Sequence, residues 1–288
     1  MFEDLCSAFP SSDLRFSFPL KSRSAFKVGG AADVAAFPRS TEELKNLIAF
    51  LKGRYSYIVL GGGTNVLISD NGFGGVVVFT ENLKKIRLFG SSLRCECGAR
   101  INDVLKVCRD NSLTGLEFAC GIPGSIGGMV AMNAGCFNKS ISEVVSYVLA
   151  EGGAYNNTNS CFDYRTSRFM RGETVFEVGF RLKTGEIENI DAKTEKFSYL
   201  RRRSQPKGNS CGSCFLNEGF FAGKVIDQAG LKGFRVGGAK ISEEHANFVI
   251  NEGGSAQDIY KLISEVKRRV LASSGIELHE EIKFVGEF

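Results

Sequence analysis

Residues 209 to 217 read NSCGSCFLN and contain two kinds of potential chemistry within nine positions. Cys211 and Cys214 form a C-x-x-C pair, a spacing used in thiol-disulfide exchange and in zinc sites. Ser213 lies between them after a glycine, where a turn can present its hydroxyl for a different chemistry. The question is whether the thiols or the hydroxyl matter, and the rest of the chain has to answer it.

The remaining cysteines and histidines complete neither a metal site nor a disulfide framework. Nine cysteines are an odd set of low density, so we expect free thiols in a reducing compartment. Cys95 and Cys97 have C-x-C spacing, which is unusual for zinc, and the two histidines lie outside known metal motifs. A redox C-x-x-C should open a helix, whereas the residues after Cys214 are typical of strand and loop. We therefore expect no metal, and a thiol or metal-binding protein is the disfavoured alternative.

Two glycine-rich loops, VLGGGTNVLISDNGFGGVVV and GIPGSIGGMVAMNAG, are the next candidates. The first is not a Rossmann loop, because Val66 stands where G-x-G-x-x-G needs its third glycine, and it lacks the Gly-Lys-Ser/Thr of a P-loop. Either it is a tight hairpin turn, or its backbone amides converge on an anion such as a pyrophosphate. Two such loops indicate a large dinucleotide-like cofactor, which the pattern does not name. The residues predicted to bind it are Gly61, Gly62, Gly63, Thr64, Asn65, Gly121, Pro123, Gly124, Ser125, Gly127, Gly128, Asn133 and Gly135.

A mixture of helices and strands must position these segments. Ser40 and Ser255 each precede an apolar run and have an acidic residue three positions on, which predicts two capped helices. Residues 101–108 and 222–230 predict two more. Strand-like runs lie between them, including YSYIVL, VSYVLA and EIKFVGEF, without a regular βαβ repeat. The predicted fold class is therefore α+β.

Length and composition limit the organisation and the partners. A chain of 288 residues with 43% hydrophobic content predicts more than one domain, and the polar stretch 183–209 predicts a boundary near residue 195. A net charge of +4 is too small to imply nucleic-acid binding. Glu3 and Asp4 argue against a signal peptide, and no apolar run approaches the ~18 residues of a membrane span. We expect a soluble, cytoplasmic protein.

Eight motifs occur in order along nearly the whole chain: SAFKVGGAAD, VLGGGTNVLIS, GLEFACGIPGSIGGMVAMNAG, DYRTSRF, RRRSQP, CGSCFLN, GLKGFRVGGAKISEEHANFVIN and LHEEIKFVG. Together they resemble the UDP-N-acetylenolpyruvoylglucosamine reductase family of bacterial cell-wall synthesis. The resemblance implies FAD-binding subdomains of the vanillyl-alcohol-oxidase type at 1–80 and 81–195, and a substrate domain at 196–279. Residues 280–288 would pack back on the second subdomain. The short stretch before RRRSQP resembles the class that lacks an extra insertion.

The resemblance also implies a reaction in two halves. NADPH would reduce FAD, which would then reduce the enolpyruvyl double bond of a UDP-sugar. Arg165 would bind the substrate carboxylate, because its planar guanidinium stays charged and can form two parallel hydrogen bonds. Ser213 would donate a proton, and Glu281 would polarise the carboxylate or relay a proton. Further substrate contacts are implied for Tyr164, Asn217 and His245.

The resemblance thus favours Ser213 over the flanking cysteines. Glu280 and Glu281 face opposite sides of a strand, so only one can enter the pocket, and the motif selects Glu281. Leu216 and Glu218 stand where the family commonly has lysine and proline. A second hypothesis keeps the FAD fold but changes the substrate. It is disfavoured because we expect the arginine, serine and glutamate motifs to lie outside the cofactor half of the chain.

Overall fold

The computed structural model describes residues 2–288, which form two compact units. Unit 1 comprises the described residues up to Arg15 together with Ala35–Gly62 and Val76–Arg201. Unit 2 comprises Phe16–Val34, Gly63–Gly75 and Arg202–Phe288. Each unit therefore combines segments that are distant in sequence. The division into parts at 1–80, 81–195 and 196–279 stays a prediction.

Two of the α-helices begin after the serines, Ser40 and Ser255, that the sequence predicts as caps. The α-helices are α1 (Glu3–Ala8), α2 (Thr41–Leu51), α3 (Ile101–Asp110), α4 (Ile126–Ala131), α5 (Ile187–Ser204), α6 (Ala222–Gln228) and α7 (Ala256–Ser274). Ser40 Oγ accepts a hydrogen bond from the Glu43 amide at 3.1 Å, which satisfies an otherwise unpaired donor of α2. Ser255 and Asp258 form a reciprocal capping box on α7. Within residues 2–288, no helix is both long enough and apolar enough to cross a membrane.

The β-strands confirm the α+β class. They are β1 (Leu14–Pro19), β2 (Ala31–Ala36), β3 (Tyr57–Leu60), β4 (Val66–Ile68), β5 (Phe73–Phe79), β6 (Ile86–Phe89), β7 (Ser92–Glu96), β8 (Leu113–Thr114), β9 (Gly135–Cys136), β10 (Lys139–Ser140), β11 (Val145–Ala150), β12 (Gly153–Asn156), β13 (Val175–Arg181), β14 (Lys183–Thr184), β15 (Arg235–Val236), β16 (Ala239–Ile241), β17 (Val249–Asn251) and β18 (Lys283–Val285). The larger sheets have the orders β1-β2-β5-β3, β12-β11-β13-β7-β6 and β15-β16-β17.

The five-stranded sheet of unit 1 supports the second glycine loop. Its strands are antiparallel, and Val178 of β13 lies between Val148 of β11 and Cys95 of β7, with all three side chains buried. The short helix α4 forms the middle of this glycine-rich segment and packs against β13 and β7. The amide of Gly127 donates to the Cys97 carbonyl at 2.7 Å, which ties the start of α4 to the residue after β7.

Unit 2 is built around α7 and two small sheets. The apolar stripe of α7, which includes Ile259 and Leu262, is buried in one core with residues of the β15-β16-β17 sheet. The C-terminal strand β18 pairs in parallel with β4, and Val285 lies opposite Ile68. This corrects the expectation that residues 280–288 pack on the 81–195 segment. The pairing with β4 puts the buried side chains of Val285 and Ile68 at the same level.

The stretch that the sequence predicted to be an interdomain passage is mostly helical. α5 covers 18 residues of which only Ile190 is buried. Periodicity could not predict this helix because it lacks the apolar stripe of an amphipathic helix. Its Asp191 carboxylate accepts two hydrogen bonds from the Arg109 guanidinium of α3, at 2.7 and 2.8 Å. This exposed ion pair links α5 to α3.

Candidate active site

The two glycine-rich loops meet in unit 1. A Cβ atom placed on Gly61 would lie only 2.0 Å from Ser125 Oγ, so the first loop passes directly against the second. Ser125 is buried and caps α4 by accepting a hydrogen bond from the Gly128 amide at 3.4 Å. Gly121 and Gly124 have φ angles of +74° and +135°, a region that favours glycine. Close packing at Gly61 and positive φ at Gly121 and Gly124 therefore favour glycine at these positions of the two loops.

Arg201 holds the second loop at both ends. Its Nε donates to the Cys120 carbonyl at 3.0 Å, and its Nη2 donates to the Cys136 sulfur at 3.1 Å. Cys120 immediately precedes the loop, and Cys136 follows the Asn-Ala-Gly segment that ends it. In the sequence Arg201 stands out only as the first residue of the RRRSQP motif. The structure adds an internal contact that the sequence does not predict.

Arg165 lies in a tight turn of unit 1, with its backbone in the left-handed region at φ 54°. Asp163 and Thr166 exchange backbone hydrogen bonds across the turn. The Arg165 guanidinium donates to the Gly135 carbonyl at 2.7 Å and lies 5.1 Å above the Tyr164 ring centroid. The buried Asn133 donates from Nδ2 to the Asp163 carbonyl at 2.9 Å. Arg165 is therefore adjacent to two residues predicted to bind the cofactor.

The remaining part of the first loop belongs to unit 2. Gly63 has a φ of +62°, and a Cβ there would lie 1.8 Å from the Arg23 carbonyl, so only glycine fits. Asn65 contacts the C-terminal segment twice: its Nδ2 donates to the Glu281 carbonyl at 3.1 Å, and its own carbonyl accepts from Lys283 N at 3.0 Å. A predicted cofactor residue and the predicted catalytic glutamate are therefore neighbours.

Ser213 and Glu281 lie on adjacent stretches of backbone in unit 2. Ser213 is paired with Phe248, and the Cys214 carbonyl accepts a hydrogen bond from the Glu281 amide at 2.7 Å. Both Ser213 and Glu281 are half-buried. The Glu280 side chain makes a different contact: its carboxylate forms an ion pair with Lys267 of α7 at 2.7 Å. This pairing supports the assignment of the site role to Glu281.

The C-x-x-C cysteines are core residues rather than exposed thiols. Cys214 is fully buried and Cys211 is 8% exposed, and both belong to the apolar core of unit 2. Burial raises the pKa of Cys214 to about 12 and also raises the pKa of Cys211. A thiol reacts as its thiolate, so this environment suppresses redox chemistry. Within residues 2–288, no group of three or more His, Cys, Asp or Glu side chains is arranged to hold a metal ion.

The three predicted substrate contacts differ in exposure. Tyr164 is 45% exposed and adjacent to Arg165. Asn217 is exposed, and its Oδ1 accepts a hydrogen bond from the first amide of α6 at 2.8 Å. His245 is half-buried, and its Nδ1 accepts from the Asn247 amide at 3.2 Å. Burial lowers the pKa of His245, so its imidazole stays neutral at pH 7. All three roles stay predictions.

The units thus bring together two groups of predicted residues. In unit 1 the loop residues Gly61 and Ser125 touch, and Asn133 and Gly135 contact the Arg165 turn. In unit 2 the Asn65 side chain donates to the Glu281 carbonyl, and the Glu281 amide donates to the carbonyl of Cys214, the residue after Ser213. The sequence did not predict that Arg201 and Asn247 support the candidate site. The only sequence signal of Asn247 is that a polar residue interrupts an apolar run before β17.

The glycine loops fit FAD. A diphosphate needs converging donors and close backbone approach, and the Gly61–Ser125 contact leaves no room for side chains between the loops. Residues 32–152 match the family profile described as an FAD-binding domain. The fold and the loops therefore define an FAD-binding flavoprotein of mixed α and β structure, as predicted.

The C-terminal part and the full-length relatives identify the family. Residues 205–285 match the profile of the UDP-N-acetylenolpyruvoylglucosamine reductase C-terminal domain. The chain is 39% identical to the UDP-N-acetylenolpyruvoylglucosamine reductase of Streptococcus uberis, covering 96% of this chain and 94% of that one. It is 40% identical to that of Streptococcus pyogenes serotype M12, with 96% and 97% covered.

A solved structure agrees with the sequence relatives. The UDP-N-acetylenolpyruvylglucosamine reductase from Thermus caldophilus superimposes with a TM-score of 0.81 at 31% identity. The match covers 96% of this chain and 99% of that one. The chain belongs to the UDP-N-acetylenolpyruvoylglucosamine reductase family, which confirms the resemblance seen in the sequence.

Proposed function

We propose that this protein is an FAD-dependent reductase that uses NADPH to convert UDP-N-acetylglucosamine enolpyruvate into UDP-N-acetylmuramate, a precursor of peptidoglycan. Family membership over 96% of the chain supports the reaction class. The observation that carries the proposal is the hydrogen bond from the Glu281 amide to the Cys214 carbonyl. It joins the segment of the proposed proton donor to that of the proposed acid.

The substrate sets the chemical problem. An isolated enol ether is a poor hydride acceptor, so the protein must stabilise the charge that develops when hydride adds to the terminal carbon of the enolpyruvyl group. That charge forms on the carbon next to the carboxylate and spreads into it as an enolate. FAD supplies the hydride when bound, having received it from NADPH.

Arg165 is the proposed partner of the substrate carboxylate. Its guanidinium is already oriented by the Gly135 carbonyl and the Tyr164 ring. A charged donor fixed before the reaction stabilises developing charge without having to reorganise. Glu281 would act beside the carboxylate, polarising it or relaying a proton.

Ser213 is the proposed proton donor. Its proton would add to the carbon next to the carboxylate, and the serine would regain a proton from solvent. A serine hydroxyl is a very weak acid, so this role requires a strongly basic enolate and a donor held in position. Pairing with Phe248 fixes the backbone at Ser213 and supports such positioning. The alternative thiol chemistry is disfavoured by the burial of Cys211 and Cys214.

The proposed partners are NADPH and the UDP-sugar. We also propose that the reaction takes place in the cytoplasm, where NADPH and nucleotide sugars are available. The test is steady-state turnover of the purified protein with NADPH and UDP-N-acetylglucosamine enolpyruvate. We expect NADPH consumption that depends on the sugar nucleotide, and a product heavier by two hydrogen atoms in mass spectrometry. A flavin-containing protein that consumes NADPH at the same rate without the sugar nucleotide would contradict the proposal.

A further inference from the structure

The side chain of Asn247 contacts both polar backbone groups of a single residue in the Ser213 segment. The Phe215 amide donates to Asn247 Oδ1 at 2.9 Å, and Asn247 Nδ2 donates to the Phe215 carbonyl at 2.8 Å. Only one orientation of the side-chain amide satisfies both contacts. Asn247 is 2% exposed, so losing either bond would leave a buried polar group unpaired.

The backbone around Asn247 extends this contact toward the two proposed catalytic residues. The Asn247 carbonyl accepts a hydrogen bond from Cys214 N at 2.8 Å, and the next residue, Phe248, pairs with Ser213. The Cys214 carbonyl in turn accepts from the Glu281 amide at 2.7 Å. Asn247 therefore holds the short stretch to which both Ser213 and Glu281 are attached.

The backbone leading into Asn247 is itself fixed. Ser242 Oγ accepts hydrogen bonds from the amides of Glu244 and His245, at 3.1 and 3.3 Å, and the Phe248 amide donates to the His245 carbonyl at 2.9 Å. This compact turn gives the Asn247 amide a rigid base. A rigid base matters because a donor displaced by about 1 Å can cost a reaction roughly 100-fold.

We infer that Asn247 is a positioning residue for proton delivery. Through the backbone of residues 213–215, it fixes the positions of the Ser213 hydroxyl and of Glu281. This inference rests on the proposed function and adds a residue to it. Asn247 touches no reacting atom in this role. It acts only through the peptide groups of Cys214 and Phe215.

The alternative is that Asn247 merely stabilises the core, and Asn251 provides a matched control. Asn251 lies four residues later in β17 and is 5% exposed. Its side chain bridges backbone in the same way, donating to the Phe26 carbonyl at 2.8 Å and accepting from the Gly254 amide at 2.7 Å. These contacts are not to residues 213–215. Asn→Asp at either position keeps the shape of the side chain but sets a carboxylate oxygen against a backbone carbonyl.

The experiment compares wild type, Asn247→Asp and Asn251→Asp as FAD-loaded proteins. Anaerobic stopped-flow would follow the loss of flavin absorbance on reduction by NADPH. It would then follow the recovery of that absorbance on mixing with saturating UDP-N-acetylglucosamine enolpyruvate. Thermal unfolding is recorded for each of the three proteins. We expect Asn247→Asp to slow flavin reoxidation by the sugar nucleotide about 10- to 100-fold. It should change the rate of flavin reduction by NADPH by less than about 3-fold. Asn251→Asp should change both rates by less than about 3-fold, even if it lowers the melting temperature as much.

Equal slowing of flavin reoxidation in the two variants would overturn the inference and leave Asn247 a core residue. If Asn247→Asp does not fold, Asn247→Ser is measured instead, with the same expected slowing and the same overturning result. A wild-type protein whose bleached flavin is not restored by the sugar nucleotide would overturn the proposed function itself. The two failures are therefore distinguishable.

Discussion

Replacing Gly61 with alanine tests whether the two glycine loops form the cofactor site. The backbone of Gly61 lies outside the left-handed region, so alanine is conformationally tolerated and the effect is purely steric. The new Cβ would lie 2.0 Å from Ser125 Oγ and 3.0 Å from Ser125 Cβ, closer than side chains normally approach. Ser125 must rotate away from the new methyl group.

The expected magnitude follows from what that rotation breaks. Ser125 Oγ caps α4 through the Gly128 amide, and losing a serine cap costs about 1 kcal/mol. The tight contact between the two Cβ atoms adds at least ~1 kcal/mol of overpacking strain. If these ~2 kcal/mol destabilise the loop conformation that binds FAD, the dissociation constant of FAD should rise by roughly 30-fold.

The assay is fluorescence titration of FAD into apoprotein, and Gly74→Ala is the control. Gly74 also lies outside the left-handed region, and a Cβ there meets nothing within 4 Å. We expect wild-type FAD affinity for Gly74→Ala and an affinity weakened by about 30-fold for Gly61→Ala. Equal FAD affinity in the two variants would refute the assignment of the cofactor to these loops.

Three further predictions concern the reaction and the thiols. Ser213→Ala should leave flavin bleaching by NADPH nearly unchanged and slow the return with sugar nucleotide by at least about 100-fold, because one preorganised donor is lost; equal slowing of both steps would make the residue structural. Arg165→Lys should lower kcat/KM for the sugar nucleotide by about 100-fold in steady-state assays, because an ammonium lacks the planar fork; wild-type values would remove Arg165 from carboxylate binding. In thiol titration of the native protein, the exposed Cys161 should label readily, whereas Cys211 and Cys214 should label only after denaturation, because burial raises the pKa of both thiols. Rapid native labelling of either would revive the thiol hypothesis.

Features set by local interactions could be predicted from the sequence. The helix starts at Ser40 and Ser255 depend on hydrogen bonds within three residues, which the capping pattern encodes. The α+β class followed from the mixture of periodicities, and the family followed from eight ordered motifs. α5 has no such local signal, and its contact with α3 through Arg109 and Asp191 joins residues that are 82 apart in sequence.

The candidate site shows the same division between local and distant interactions. Motifs selected Ser213 and Glu281, but periodicity could not show that residue 281 donates to the carbonyl of residue 214. Asn247 contacts Phe215 across 32 residues, and the role that we infer for it depends on tertiary contacts of this kind. The sequence also could not predict that each unit combines distant segments, because strand pairing between distant segments has no local signal.

Anaerobic double-mixing stopped-flow of the wild-type protein tests the proposed reaction directly. We expect NADPH to bleach the flavin band and UDP-N-acetylglucosamine enolpyruvate then to restore it, with UDP-N-acetylmuramate formed in equal amount. A flavin that NADPH bleaches but the enolpyruvyl sugar nucleotide does not restore would contradict the proposal that the protein transfers hydride from reduced FAD to this substrate.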